Sequence, residues 1–238
     1  MNGSEILKDC AQKMGIELSE KALNDFENYK KLLLEWNEKI NLTAITDEEG
    51  IAIKHFADSI SVLPLIDKKS VSMIDVGTGA GFPGIPIKIA RRDIKVTLLD
   101  SLNKRINFLE EVKKELKFEN VSCIHSRAED GGRNPLYREK FDLCVSRAVA
   151  RLNVLCEYCM PFVAVGGYFI SLKGPDVSEE LAEAQKAITV LGGSVEKVVD
   201  IAIPNSEITH SAVVIKKIKP VPKTYPRKAG TAGKKPIV

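Results

Sequence analysis

Residues 72–84 read Ser-Met-Ile-Asp-Val-Gly-Thr-Gly-Ala-Gly-Phe-Pro-Gly, and this stretch constrains the chain more than any other. A β-prone apolar run ends in glycines at 77, 79 and 81, and a helical pattern opens at Pro83. The unit is a strand, a tight turn and a helix start. Glycine suits such a turn because a positive φ is sterically cheap only without a Cβ, and because a missing side chain lets a ligand approach the backbone. Free N–H groups at the helix start can then receive polar or anionic ligand groups. A chain built on this unit is expected to be an α/β protein that binds a nucleotide-type cofactor.

The residues on either side extend that expectation. Downstream, strands expected at 95–99, 121–124, 141–145 and 168–172 alternate with helices near 103–117, 152–160 and 178–191. Such alternation predicts a doubly wound, Rossmann-like parallel sheet. Two last strands, near 195–201 and 212–216, have no helix between them and are expected to form an antiparallel hairpin at one edge. Upstream, apolar spacing predicts a helix ending at Gly15 and a second capped by Ser19, with Leu23, Phe26, Tyr29, Leu33, Trp36 and Ile40 as its inner stripe. A capping box, Thr46-x-x-Glu49, should open a third helix that Pro64 ends. The expected organisation is a helical N-terminal cap (1–66) packed on the main domain, the main α/β domain (67–218) and a basic, irregular C-terminal tail (219–238).

Composition narrows the classes. The chain has 238 residues, 44% of them hydrophobic, enough for one large domain with an appendage. No apolar run reaches the ~18 residues of a membrane span, so a soluble, cytoplasmic protein with no membrane partner is expected. The five cysteines have no framework spacing. Cys156 and Cys159 fall in an apolar helical run, where packing is favoured over metal or redox chemistry, and no metal site is expected. The net charge is +3, yet beyond Glu207 there are eight cationic residues and no acidic one. A basic tail on an acidic body suits an anionic partner, the alternative being a solvated end. A monomer is expected.

In a sheet of this kind, ligands bind beyond the carboxyl ends of the strands. Asp100 ends the second strand, where a carboxylate can accept both ribose hydroxyls; the alternative is a carboxylate at a helix N-terminus. Ala128 and Glu129 follow the third strand, where an adenine can lie, or Glu129 is simply on a solvated turn. Two glycine registers compete. The frame Gly79-x-Gly81-x-x-Gly84 satisfies a dinucleotide pattern but starts late. The frame from Asp75 through Gly77, Gly79 and Gly81 fits better and resembles the first motif of S-adenosylmethionine-dependent methyltransferases, whose strand carboxylate, here Asp75, faces the methionine ammonium. The fourth strand ends Ser146-Arg147-Ala148-Val149-Ala150-Arg151, without the Asn/Asp-Pro-Pro-aromatic pattern of exocyclic-amine methylation. None of the cysteines suits cytosine-C5 chemistry. What remains is an acceptor that is already nucleophilic, such as guanine N7, with Arg147 holding cofactor or RNA, or else forming a structural ion pair.

Gly77-Thr78-Gly79-Ala80-Gly81-Phe82-Pro83-Gly84, Asp100-Ser101-Leu102-Asn103-Lys104-Arg105, Ala128-Glu129, Ser146-Arg147-Ala148-Val149-Ala150 and Tyr225-Pro226-Arg227-Lys228 resemble the RsmG (GidB) family of bacterial 16S ribosomal RNA methyltransferases. Trp36-Asn37, Asn41-Leu42-Thr43, His55 and Asp58-Ser59 extend the resemblance into the N-terminal part. It implies methyl transfer from S-adenosylmethionine to N7 of a guanine in the decoding-region loop of 16S RNA, free or in the small ribosomal subunit, by positioning alone and with no catalytic base. By motif, Gly77, Phe82, Ala128, Glu129 and Arg147 would contact the cofactor, joined by Asp100 and by Asp75 and Gly79 of the loop. Arg147, Lys173, Arg227 and Lys228 are the expected RNA contacts. Ala229 and Ala232 stand where the family tail usually has prolines. An NAD-dependent oxidoreductase and a non-catalytic RNA-binding protein are the alternative readings.

Overall fold

The computed structural model describes residues 1–66, 72–147 and 149–238. The domain boundary expected at residue 67 and Ala148 of the fourth-strand motif lie outside the described residues. A seven-stranded sheet has the order β3-β2-β1-β4-β5-β7-β6. Its strands are β1 (Ser72–Val76), β2 (Lys95–Asp100), β3 (Val121–His125), β4 (Phe141–Arg147), β5 (Val163–Lys173), β6 (Gly193–Ala202) and β7 (Thr209–Lys217). The first five are parallel, and β7 runs antiparallel between β5 and β6, so the sheet is mixed. The expected late hairpin forms, with its second strand inserted inside the edge. The fifth strand begins earlier than 168: Gly166 and Gly167 lie within β5, in the irregular stretch between Val163 and Tyr168, which pair with Phe141 and Leu143 of β4, and Gly166 takes a φ of +92°.

Period-two alternation divides the strand residues between two faces. Met73, Val96, Leu98, Leu143 and Val145 pack under α5 (Gly84–Ala90), α6 (Asn103–Glu115) and the N-terminal helices. Ile74, Val76, Leu99 and Cys144 pack under α8 (Leu152–Cys159) and α9 (Ser178–Val190). Cys156 and Cys159 are both fully buried in this second layer, as packing required. Among the described residues, no helix is long and apolar enough to cross a membrane.

The N-terminal helices share the first core. In α1 (Gly3–Lys13) the Asn2 side chain accepts from Glu5 N, and Glu5 returns to Asn2 N, each at 2.9 Å. In α2 (Glu20–Ile40) Ser19 caps Ala22 N at 3.2 Å. The Tyr29 ring of α2 packs with Phe56, Phe82 and Phe108, and its hydroxyl donates to Ala80 O of the glycine turn. The third helical stretch differs from the reading of the sequence. Asp47, not Thr46, caps it, accepting from Gly50 N at 2.7 Å. A short α3 (Glu48–Gly50) passes into a π-helix (Ile51–Ala57) and then α4 (Asp58–Ile60), and Pro64 sits inside a 3-10 turn (Leu63–Leu65). A capping box is a local pattern that Thr46 satisfies on paper; the carboxylate one residue later is the better N–H acceptor. A short helix, α7 (Ala128–Arg133), goes unread in the sequence because Gly131 and Gly132 argue against it.

Candidate cofactor and acceptor site

A cavity of about 580 Å³ opens beyond the carboxyl ends of β1, β2 and β4, within the range of small-molecule pockets. Its walls include Gly77, Gly79, Phe82, Asp100, Ala128, Glu129 and Arg147, so seven of the eight residues expected to touch a cofactor converge there.

The glycines have separate tasks. Gly79 has a φ of +61°, and a Cβ built on it would meet nothing within 4 Å. The backbone there faces open space that a ligand can fill. Gly77, at φ +72°, is different, because its Cβ would lie 2.7 Å from the Val149 side chain. Gly81 and Gly84 face the core: their Cβ atoms would strike Ile85 and Tyr29, and Leu98 and Asp75, respectively. The shifted dinucleotide frame needs its middle glycine, Gly81, against a pyrophosphate, and Tyr29 occupies that side.

Asp75 is the eighth expected contact, and it does not reach the cavity. Alternation puts its side chain on the Met73 face, fully buried beneath α5. One carboxylate oxygen accepts from Thr78 Oγ1 at 2.6 Å and Gly84 N at 2.8 Å, and Oδ1 has no partner among the described residues. Burial pushes this carboxyl up to about 7 against those two donors. Asp75 therefore ties the glycine turn to the helix start and does not face a methionine ammonium. Asp100 sits at the cavity wall, 2% exposed, and accepts from Gly79 N and Leu102 N at 2.9 Å and from Arg105 at 3.3 Å. A carboxylate offers about four acceptor positions, so one is left for a ligand hydroxyl.

Phe82 is layered between two groups. The His55 ring stacks on it at 4.4 Å and 16°, and the Arg147 guanidinium lies 5.1 Å from its centroid. Arg147 is ion-paired to Asp58, whose other oxygen is 2.8 Å from His210 Nδ1. Burial raises the Asp58 carboxyl, but His210 and Arg147 together hold it below the usual value. His55 Nε2 is 2.7 Å from Thr43 Oγ1, and burial, then the charge of Arg147, lowers its imidazole to about 4, so the ring is neutral near pH 7. Both His55 and Asp58 come from the π-helical stretch and its end, a geometry common at functional sites. Leu42 and His55, which the sequence offered only as parts of a resemblance, thus line the cavity.

The basic residues expected to meet RNA divide. Lys173 is nearly buried, with Nζ 2.7 Å from Glu180 and 2.8 Å from Ala150 O. Arg227 pairs with Glu157, a carboxylate only 1% exposed, at 2.6 Å, and its backbone N–H donates to the same group at 2.7 Å. Both charges are satisfied inside the protein, which corrects their reading as RNA contacts. Arg147 is likewise committed to Asp58. Only Lys228 of the four is exposed.

The C-terminal segment holds to the body throughout, because the body supplies donors to its carbonyls. Arg138 donates to Val221 O, Pro222 O and Tyr225 O, and Arg133 to Pro226 O. A short α10 (Thr231–Lys234) buries Ala232. Gly230, at φ +78°, donates its N–H to Glu129 Oε1 at 2.8 Å and lines the cavity beside Tyr158. No local pattern announces Gly230 as a site residue; its partner is 101 positions away.

The residues present fit a nucleoside: an open glycine backbone, a wall carboxylate with a free acceptor position, and apolar walls from Phe82 and Ala128. The family model described as rRNA small subunit methyltransferase G matches residues 22–209. A ribosomal RNA small subunit methyltransferase G from Alkaliphilus metalliredigens is 55% identical over 238 residues, covering 100% of both chains. One from Clostridium botulinum is 53% identical over 234 residues, covering 98% of each. Among solved structures, a ribosomal protein L11 methylase from Lactobacillus delbrueckii superposes with a TM-score of 0.52 at 15% identity, over 70% of this chain and 79% of that one. M. jannaschii TYW2 in complex with AdoMet does so with 0.51 at 16%, over 64% and 72%. These last two share the fold, while the family model covers most of the chain, glycine turn included, and the Alkaliphilus relative matches it from end to end: the chain belongs to the rRNA small subunit methyltransferase G family.

Proposed function

We propose that this protein transfers the methyl group of S-adenosylmethionine to N7 of a guanine in 16S ribosomal RNA, working as a monomer in the cytoplasm. The observation that carries the reading is a match along the full length of relatives with that name, in a chain whose glycine turn opens a nucleoside-sized cavity. When bound, the cofactor supplies an electrophilic methyl group. The chain's own residues bind and orient. Gly79 gives the ligand access to the backbone, Asp100 accepts a ribose hydroxyl, Ala128 and Glu129 border the adenine, and Phe82 with Arg147 borders the end next to the acceptor.

Among the described residues no cysteine lines the cavity, Asp100 and Glu129 already accept hydrogen bonds there, and His55 is too weak a base to remove a nitrogen-bound proton. Guanine N7 carries a lone pair and asks for none of these. Holding donor and acceptor in line at short range is then the main catalytic device. Methylated guanine is cationic, and pairing Arg147 with Asp58 keeps an uncompensated positive charge away from it. The test is to map N7-methylguanine, by borohydride and aniline cleavage, in 16S RNA from a deletion strain carrying this gene. Restored cleavage at one guanine is expected. Methyl incorporation at another atom, or NADH binding in place of S-adenosylhomocysteine binding, would overturn the reading.

A further inference from the structure

A second cavity, of about 630 Å³, adjoins the first and shares Val149 and Tyr158 with it. Its other walls come from the start of α8 and from the C-terminal segment, including Asn153, Val154, Gly233 and Pro236. Val154 and Tyr158 are one helical turn apart and present one apolar and aromatic face. Asn153 is 4% exposed, and its Oδ1 accepts from Val154 N at 2.8 Å, which fixes the amide so that Nδ2 is the free end. That donor and the Tyr158 hydroxyl have no hydrogen-bond partner among the described residues. An amide N–H2 without a protein partner at a cavity wall is available to an acceptor that enters there. The acidic wall residue, Glu183, is neutralised by Arg151 at 2.8 Å. Lys234 and Lys235, next to Gly233 and Pro236, are exposed and pair with no carboxylate among the described residues.

We propose that this second cavity receives the base of a nucleotide flanking the target guanine in the RNA acceptor. This rests on the function proposed above and adds a site to it. The geometry gives each part of a nucleotide a partner: Tyr158 and Val154 for the base face, the Asn153 amide for a base carbonyl, and Lys234 and Lys235 for the phosphate. The two cavities share the wall of Val149 and Tyr158, so a base held here lies directly beside the cofactor cavity.

Asn153→Asp is a clean probe. It keeps the oxygen that caps Val154 N–H, favours the helix N-terminus electrostatically, and replaces the free donor with a charge that repels RNA. In the full-length protein this variant should raise the KM for unmethylated 16S RNA roughly ten-fold, the scale of a missing hydrogen bond compounded by repulsion, and leave S-adenosylhomocysteine affinity within about two-fold. Lys234→Gln with Lys235→Gln should raise the same KM and leave the cofactor untouched. An unchanged KM in both variants, measured beside an active wild-type protein, overturns the proposal, as does a KM rise matched by an equal loss of S-adenosylhomocysteine affinity. A wild-type protein that methylates no RNA would instead remove the functional reading on which the site rests.

Discussion

Asp75 shows how alternation in a strand overrides a motif. Its carboxyl is buried on the face away from the ligand, and burial moves it from 3.8 up to about 7. A value raised in the folded state means that folding favours the protonated form. Its contribution to stability is whole below 3.8 and is lost as pH rises through about 7. His55 runs the other way: lowered from 6.5 to about 4, it withdraws stability as pH falls through that window. The two are separated by subtraction. The stability of the wild type minus that of Asp75→Asn, from denaturant melts, should fall between about pH 4 and about pH 8. A difference that stays flat would show Asp75 ionised throughout. Gly79 carries the ligand side of the turn. Gly79→Ala should cost about 1 kcal/mol of stability, for its left-handed φ, and weaken S-adenosylhomocysteine at least about ten-fold, because the new methyl group enters the open space. Calorimetry on the folded variant checks it, and unaltered affinity would remove Gly79 from the site. Gly77→Ala is the less direct probe, since its methyl group meets Val149.

At the scale of the element, the π-helical stretch and the C-terminal segment each complete the cavity from a distance. The π-helix brings His55 against Phe82 and Asp58 against Arg147, so the N-terminal helices belong to the site and share its core. The C-terminal segment, expected to be an irregular arm, is fastened by backbone and side-chain bonds along 221–230. Its strongest fastening is Arg227 on Glu157. Removing the half-buried Arg227 leaves the buried Glu157 carboxylate uncompensated, so Arg227→Gln should destabilise the protein by about 3 kcal/mol. Adding Glu157→Gln should recover a large part of that loss, which denaturant melts of the double-mutant cycle will report. S-adenosylhomocysteine affinity should also fall in Arg227→Gln, because Gly230, three residues on, holds Glu129. Wild-type stability in the single variant would mean the segment is not anchored there.

For the whole molecule, the net charge of +3 conceals which cations remain free to meet a polyanion. Of the eight beyond Glu207, Lys217 is buried against Glu139 and the half-buried Arg227 is paired with the buried Glu157, whereas Lys219, Lys223, Lys228, Lys234 and Lys235 are exposed. Replacing Lys219, Lys223 and Lys228 with Gln should lower the slope of log RNA affinity against log salt by about 0.7 to 0.9 for each phosphate that is no longer neutralised, with no change in melting temperature. An unaltered slope would place the RNA on another face. The sequence by itself determined the strand, turn and helix at 72–84, the order of alternating elements, and the cap at Ser19. Those follow from neighbours in the chain: steric limits on φ, side-chain periodicity and N–H groups within reach of a nearby oxygen. Its reading of Lys173 and Arg227 as RNA contacts and of Asp75 as a ligand group failed for the opposite reason. Whether a charge is free depends on what packs over it, and the deciding partners lie 70 positions away for Arg227, 89 for Arg147 and 101 for Gly230. Only the tertiary structure brings them together, because burial is a property of how the helices cover the sheet and not of any segment read alone.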